Sequence, residues 1–138
     1  MTPQQIAAVR TSFDLVAPIA DQAAALFYAH LFAADPSLRS LFRGDMREQG
    51  TRLLQMIGAA VRLLDSPHRL LPTLHALGAR HAGYGVREAH YATVGAALVR
   101  TLEQGLGDAF TPTVRDAWMA MYEIVAREMQ RAAQPLAA

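Results

Sequence analysis

Leu70-Leu71-Pro72-Thr73-Leu74-His75-Ala76-Leu77-Gly78-Ala79-Arg80-His81 is the stretch on which the reading of this chain turns. On a helix at 100° per residue, Leu70, Leu74, Leu77 and His81 lie within about 60° of one another, so the imidazole points where three leucines point, into an interior. A buried polar group without a partner costs roughly 1–3 kcal/mol, and neutral imidazole is the commonest metal ligand among side chains. His81 is therefore either a core histidine bonded to a backbone carbonyl or a ligand, and the helix by itself leaves both open.

Composition narrows the class. The chain has 138 residues, enough for one domain with its own core. Its hydrophobic share is 52% while aromatics make up only 7%, and alanine is abundant; this favours closely packed helices over a sandwich of β-branched and aromatic strands. An all-α fold is expected. Thirteen Lys and Arg against twelve Asp and Glu leave a net charge of +1, and the arginines are scattered, which argues against nucleic acid or an anionic membrane as partner. With no cysteine, neither a disulfide framework nor a thiolate metal site is available. The start MTPQQIAAVR lacks an apolar signal core, and no run approaches the roughly 18 consecutive apolar residues of a membrane span, so a cytoplasmic protein is the expectation.

The chain marks its helix starts with one repeated device: Thr2-Pro3, Asp35-Pro36, Ser66-Pro67 and Thr111-Pro112. Each couples a side chain able to accept from free helix-start N–H groups with a proline whose fixed φ suits the first helical position. Thr2-Pro3-Gln4-Gln5 has capping-box form, and Asp45-Met46-Arg47-Glu48 marks a fifth start. Glycines 83, 85, 105 and 107 supply stops. The pattern predicts helices at about 3–17, 18–34, 36–42, 46–64, 67–82, 87–104 and 112–133, with residues 134–138 a frayed tail.

Two further faces carry polar residues among apolar ones. Gln49 shares a stripe with Leu53, Met56 and Ala60, and near its helix start it could equally reach solvent. Tyr28 lies in the middle of a helix that is apolar nearly all round, where a buried hydroxyl usually finds a partner. Phe42, closing the short segment after Asp35-Pro36, reads as a core aromatic. None of these residues identifies a function singly.

Together they resemble the globins, and more narrowly the bacterial globins typified by the haem domain of flavohaemoglobins and by single-domain bacterial haemoglobins. The resemblance spans essentially the whole chain, 1–138, as a single globin domain of about seven helices around a haem pocket. It rests on Leu26-Phe27-Tyr28-Ala29-His30-Leu31-Phe32, on Leu38-Arg39-Ser40-Leu41-Phe42, and on Gln49 and Leu53. Its strongest parts are Arg80-His81-Ala82-Gly83-Tyr84-Gly85-Val86 and His90-Tyr91-Ala92-Thr93-Val94-Gly95, with Trp118 and Tyr122 in the last helix.

The resemblance implies that His81 is the proximal ligand of a haem b iron. It places Tyr28 and Gln49 on the distal side, where their N–H and O–H groups would stabilise a polarised gas ligand. Phe42, Leu53 and Ile57 would exclude water; Leu77, Tyr91 and Val94 would border the cofactor, with Phe27 and Leu98 as further walls. Arg80 would pair with a haem propionate or stay solvated. The other histidines do not compete: His75 lies about 140° off the stripe, His68 sits at a helix start, and His30 and His90 read as structural or surface-facing.

The implied function is reversible binding of O2, with high affinity and slow release, and of other diatomics such as NO, for storage, transport or scavenging, in a monomer or weak homodimer. The alternative is an enzyme, a nitric oxide dioxygenase converting NO and O2 to nitrate. The chain has no Gly-x-Gly-x-x-Gly loop, so turnover would need a separate flavin or ferredoxin reductase. A third class, a haem-free signalling globin, would be colourless, and the presence of His81, Phe42, Tyr28 and Gln49 speaks against it. One departure stands out. Where relatives pair the proximal histidine with a glutamate of the last helix, this chain has Ala132 or Ala133, and Glu128 stands more than a turn too early. His81 is then expected to bond a backbone carbonyl, which makes its imidazole less basic than a carboxylate partner would and favours ligand binding over oxidative chemistry.

Overall fold

The computed structural model describes residues 1–133, so the expected frayed tail at 134–138 lies outside the described residues. Thr2 opens α1 (Pro3–Val16) with the reciprocal capping box, its hydroxyl accepting from Gln5 N–H while Gln5 Oε1 accepts from Thr2 N–H. A 3-10 turn at Ala17–Ile19 leads into α2 (Ala20–Ala34). Next come α3 (Met46–Arg62), capped by Asp45; α4 (Pro67–Gly83); α5 (Glu88–Leu106); and α6 (Pro112–Ala133), whose first turn is capped by the Thr111 hydroxyl.

Among the described residues six of the seven expected helices are α-helical. The segment after Asp35-Pro36 is a six-residue 3-10 helix, Pro36–Leu41, not an α-helix. Asp35 caps it by accepting from both Ser37 N–H and Ser37 Oγ–H, and so short a segment can close on i→i+3 bonds. Ser66 also departs from expectation: it precedes α4 but its side chain caps nothing, and Pro67 alone starts that helix.

The helices bury two clusters. The larger is centred on α1, α4 and α6 through Val9, Val16, Leu70, Leu74, Ala117, Trp118, Met121 and Met129, and Ala23 of α2, Ala60 and Val61 of α3 and Leu102 of α5 join it. Trp118, 2% exposed, donates its indole N–H to Ser12 Oγ at 2.8 Å, and Ser12 in turn donates to the Ala8 carbonyl, so both polar groups are satisfied within this core. The smaller cluster joins α2, the 3-10 segment and α5 through Phe27, Tyr28, Leu31, Leu38 and Ala97. Pro3–Ala34 is long and apolar enough by composition to cross a membrane, but it is two helices broken by the 3-10 turn, and its Val9, Val16, Phe27 and Leu31 are buried in these clusters.

The seat of α4 is set by a glycine. Helices α4 and α6 pack more extensively than any other pair, and at Gly78 their backbones approach so closely that an added Cβ would overlap the carbonyl of Met129. Because backbone cannot swing aside as a side chain can, Gly78→Ala is expected to cost about 3 kcal/mol and about 10 °C in thermal midpoint, read by circular dichroism.

Candidate functional site

Burial along the α4 stripe falls toward its end. Leu70 and Leu74 are 4% and 2% exposed, whereas Leu77 and His81 are half-buried. The stripe therefore runs out of the α1–α6 core, and His81 sits at its mouth. Its Nδ1 lies 2.9 Å from the Leu77 carbonyl. A carbonyl only accepts, so Nδ1 carries the proton, and in neutral imidazole Nε2 is left with a free lone pair. Burial pushes the His81 pKa down, opposed by the Leu77 bond and aided by the nearby Arg80 charge, so the neutral, ligating form is favoured. The chain is turned away after His81 by Gly85, whose φ of 90° suits glycine, and by the Val86 N–H bond to the His81 carbonyl.

On α2, Tyr28 is 8% exposed within an aromatic group. Its ring stacks on Phe32 at 5.8 Å and meets Phe27 and Phe42 edge-on at 5.3 Å each. Its hydroxyl has no hydrogen-bond partner among the described residues, yet no side-chain oxygen sealed from solvent lacks one. The hydroxyl therefore keeps an open approach, and burial without an acceptor pushes its pKa up to about 12. The partner that a buried tyrosine hydroxyl usually finds is not supplied by the described residues. Phe42, Leu53 and Val94 pack against the same cluster, while Ile57, Leu77 and Tyr91 pack against the larger one.

Gln49 is half-buried, and it donates its amide to the Arg43 carbonyl at 2.8 Å, bridging the loop before α3. It does not contact Tyr28 through a hydrogen bond. Met56, placed on the same stripe by the sequence, is 37% exposed. Arg80 is exposed and forms no ion pair among the described residues. Phe32, which stacks on Tyr28, carries no independent sequence signal beyond its i+4 spacing.

On α5, the Tyr91 carbonyl accepts from the Tyr122 hydroxyl at 2.6 Å, and the ring of Tyr122 occupies the space a Cβ on Gly95 would need. That bond and close packing fix the first turns of α5, on which Tyr91 and Val94 stand. Burial pushes the pKa of both tyrosines up. Glu128 is committed elsewhere: buried on α6, it pairs with Arg131 at 3.2 Å and with His75 at 3.7 Å. It leaves His81 to the Leu77 carbonyl, as the sequence led one to expect.

Residues 25–129 match the family model described as Globin. The chain belongs to the globin family. Among its relatives, this globin is 31% identical to a neuroglobin of Tetraodon nigroviridis over 137 residues, covering 89% of this chain and 86% of the relative. It is 30% identical over 125 residues to a flavohemoprotein of Bordetella parapertussis, covering 88% of this chain but 31% of that protein, so it spans about a third of the flavohemoprotein's length. Neuroglobins thus stand beside the flavohemoproteins, and a specifically bacterial, single-domain assignment does not follow.

In structure, the globin superposes on a hexacoordinated haem protein of an anhydrobiotic tardigrade with a TM-score of 0.88 over 98% of this chain and 96% of that one, at 17% identity, a likeness of fold alone. It also superposes on an engineered carbene transferase from Rhodothermus marinus, named a "putative nitric oxide dioxygenase", with a TM-score of 0.84 and 28% identity over 96% and 93% of the two chains. Globin membership implies haem binding. The chain's own residues fit that group: an imidazole with a free Nε2, an unpaired tyrosine O–H in an aromatic wall, and half-buried apolar side chains from α3, α4 and α5.

Proposed function

We propose that this globin holds haem b through His81 and reversibly binds O2, with high affinity and slow release, along with other diatomics such as NO. The observation that carries the proposal is the His81–Leu77 bond, which fixes the tautomer and leaves Nε2 free. The haem, when bound, supplies an iron that takes a diatomic gas. Tyr28 keeps its proton throughout the neutral range and has no competing acceptor, so its O–H is available to a polar gas ligand without first breaking a bond. Gln49 must give up the Arg43 carbonyl to reach inward, which costs about 1 kcal/mol and makes it the weaker partner. Phe42, Leu53 and Ile57 exclude water, and Leu77, Tyr91 and Val94 line the side of the cofactor nearer His81, with exposed Arg80 free to meet a propionate.

Likeness to a flavohemoprotein and to a named dioxygenase supports a second reading, nitric oxide dioxygenation with a separate flavin or ferredoxin reductase. The commitment of Glu128 to Arg131 and His75 favours ligand binding over it, because the imidazole is left with a neutral acceptor and is a weaker electron donor. Stopped-flow mixing of the O2-loaded ferrous protein with NO separates the two. A ferric product that persists supports storage or scavenging; one that a reductase restores over many cycles supports the enzyme. Absence of a Soret band would overturn both.

A further inference from the structure

Helix α4, which carries His81, packs at length against one helix, α6, among the described residues. It also lacks one of its own bonds, because Pro72 inside it has no N–H to offer the His68 carbonyl. How α4 sits is therefore decided by what α6 presents to it. At Gly78 the glycine lies against the Met129 carbonyl, backbone on backbone. One point of close approach fixes the distance between two helices but leaves α4 able to roll about its own axis. Leu70 and Leu74 resist that roll through apolar contact, which is non-directional.

The polar tie across the crossing is His75 to Glu128. At 100° per residue His75 stands about 60° to one side of Gly78 and His81 about 60° to the other, so a roll that lifts His75 off α6 turns His81 toward it. The imidazole tip lies about 6 Å from the helix axis, and about 10° of roll displaces it by about 1 Å. Buried Glu128 is held from its own helix by Arg131 at 3.2 and 3.3 Å. His75 Nε2 stands 3.7 Å from Glu128 Oε2, too long for a hydrogen bond and within reach of an ion pair, while its exposed side chain exchanges protons with solvent. The contact is strongest when His75 is charged. On α6 the charged groups around this contact are Glu128, Arg131 behind it, and exposed Arg127, which makes no ion pair among the described residues; on α4 itself His68 lies on the same face two turns earlier, and Arg69 and Arg80 lie on other faces.

We propose that Glu128 and His75 are positioning residues for the iron ligand: their contact sets the roll of α4, and with it the placement of His81, and it tightens as His75 gains a proton. The proposal rests on the reading of His81 as the haem ligand. Neither residue touches His81, which keeps its bond to the Leu77 carbonyl throughout. Groups that orient a metal-ligating histidine typically change metal affinity 10–100-fold when removed; acting through a helix, this pair is expected to change the rate of haem loss about fivefold to tenfold.

Three substitutions test the pair. His75→Lys keeps a cation from about pH 5.5 to 8.5, His75→Gln keeps none, and Glu128→Gln removes the carboxylate at nearly constant shape. In resonance Raman of the ferrous protein just after CO photolysis, the wild-type iron–histidine band is expected to be narrow at about pH 5.5 and to broaden by about pH 8.5. It should stay narrow in His75→Lys and broad in both glutamine variants, which should also lose haem faster to an excess of scavenging apoprotein. A role in packing alone would leave the pH profiles parallel. A wild-type profile that survives in His75→Gln, or a band in His75→Lys as broad as in His75→Gln, would overturn the proposal. Should Glu128→Gln fail to fold, the variants at exposed His75 still decide. Hydrogen exchange of the α4 amides in residues 77–83 of the purified protein, with or without haem, should be faster in His75→Gln than in His75→Lys at about pH 7, and equal rates would also overturn it. A protein that takes up no haem would sink the reading of His81, while that exchange difference would still report the tie.

Discussion

His81→Ala is expected to abolish stable haem retention. The variant removes the sole imidazole at the mouth of the α4 stripe and leaves Leu70, Leu74 and Leu77 with nothing that can bond iron. His75 cannot substitute, since it lies on another face of α4 and is held by Glu128 at 3.7 Å. Nor can His30 or His90: the first bonds Gln104 at 2.8 Å, and the second accepts from Arg87 N–H at the start of α5. The fold itself should survive, because the core built on α1, α4 and α6 does not use the imidazole. The check is a purified variant with native helical circular dichroism and no Soret absorbance, regained when free imidazole is added to fill the vacated space. A variant that keeps a normal Soret band without added imidazole would show that iron is held by some other residue.

Tyr28→Phe is the second large effect, expected to speed O2 release by at least about tenfold, since one lost hydrogen bond to a polar ligand contributes roughly 1–3 kcal/mol. Two accompanying observations distinguish this role from packing. Removing a hydroxyl that has no protein partner should leave stability unchanged or slightly raised, because the rings of Phe27, Phe32 and Phe42 keep their contacts. The wild-type release rate should also be flat between about pH 6 and 9, because a tyrosine pushed up to about 12 is protonated throughout that range. Gln49→Leu should produce a smaller change, given its existing bond to Arg43. Unchanged O2 release in Tyr28→Phe, measured by stopped-flow with CO replacement, would make Tyr28 a core residue and nothing more.

Much of the fold was readable because its signals are local. Capping by Thr2, Asp45 and Thr111 depends on residues two or three positions away, and the α4 stripe is a matter of angular count. Failures came where the deciding partner is distant or the competing geometries are close in energy. Whether Pro36–Leu41 closes as 3-10 or α turns on i→i+3 against i→i+4 bonds in six residues, which periodicity cannot resolve. The turn of Gln49 toward Arg43 depends on the path of the loop at Gly44, whose φ is 85°. The pairing of Glu128 with His75 spans α4 and α6 and was invisible to spacing, although its separation from His81 followed from the residue count.

The two apolar clusters share one residue among those described, Leu98 on α5, which packs against both. The apolar interior is therefore two clusters with a narrow seam. The larger cluster is closed by its own tryptophan, its own hydrogen bonds and the Gly78 crossing, and half-buried Ile57, Leu77 and Tyr91 pack along its edge. The unit around Tyr28 is smaller and edged by half-buried Phe32, Phe42 and Leu53, so it relies on whatever fills the space beside it. Haem supply would then bear most on the smaller unit: an apoprotein starved of cofactor would loosen first around Tyr28 and the 3-10 segment, with the Ile57, Leu77 and Tyr91 edge of the larger cluster losing a neighbour as well, and the aromatic side chains exposed there would be what proteases and chaperones meet first.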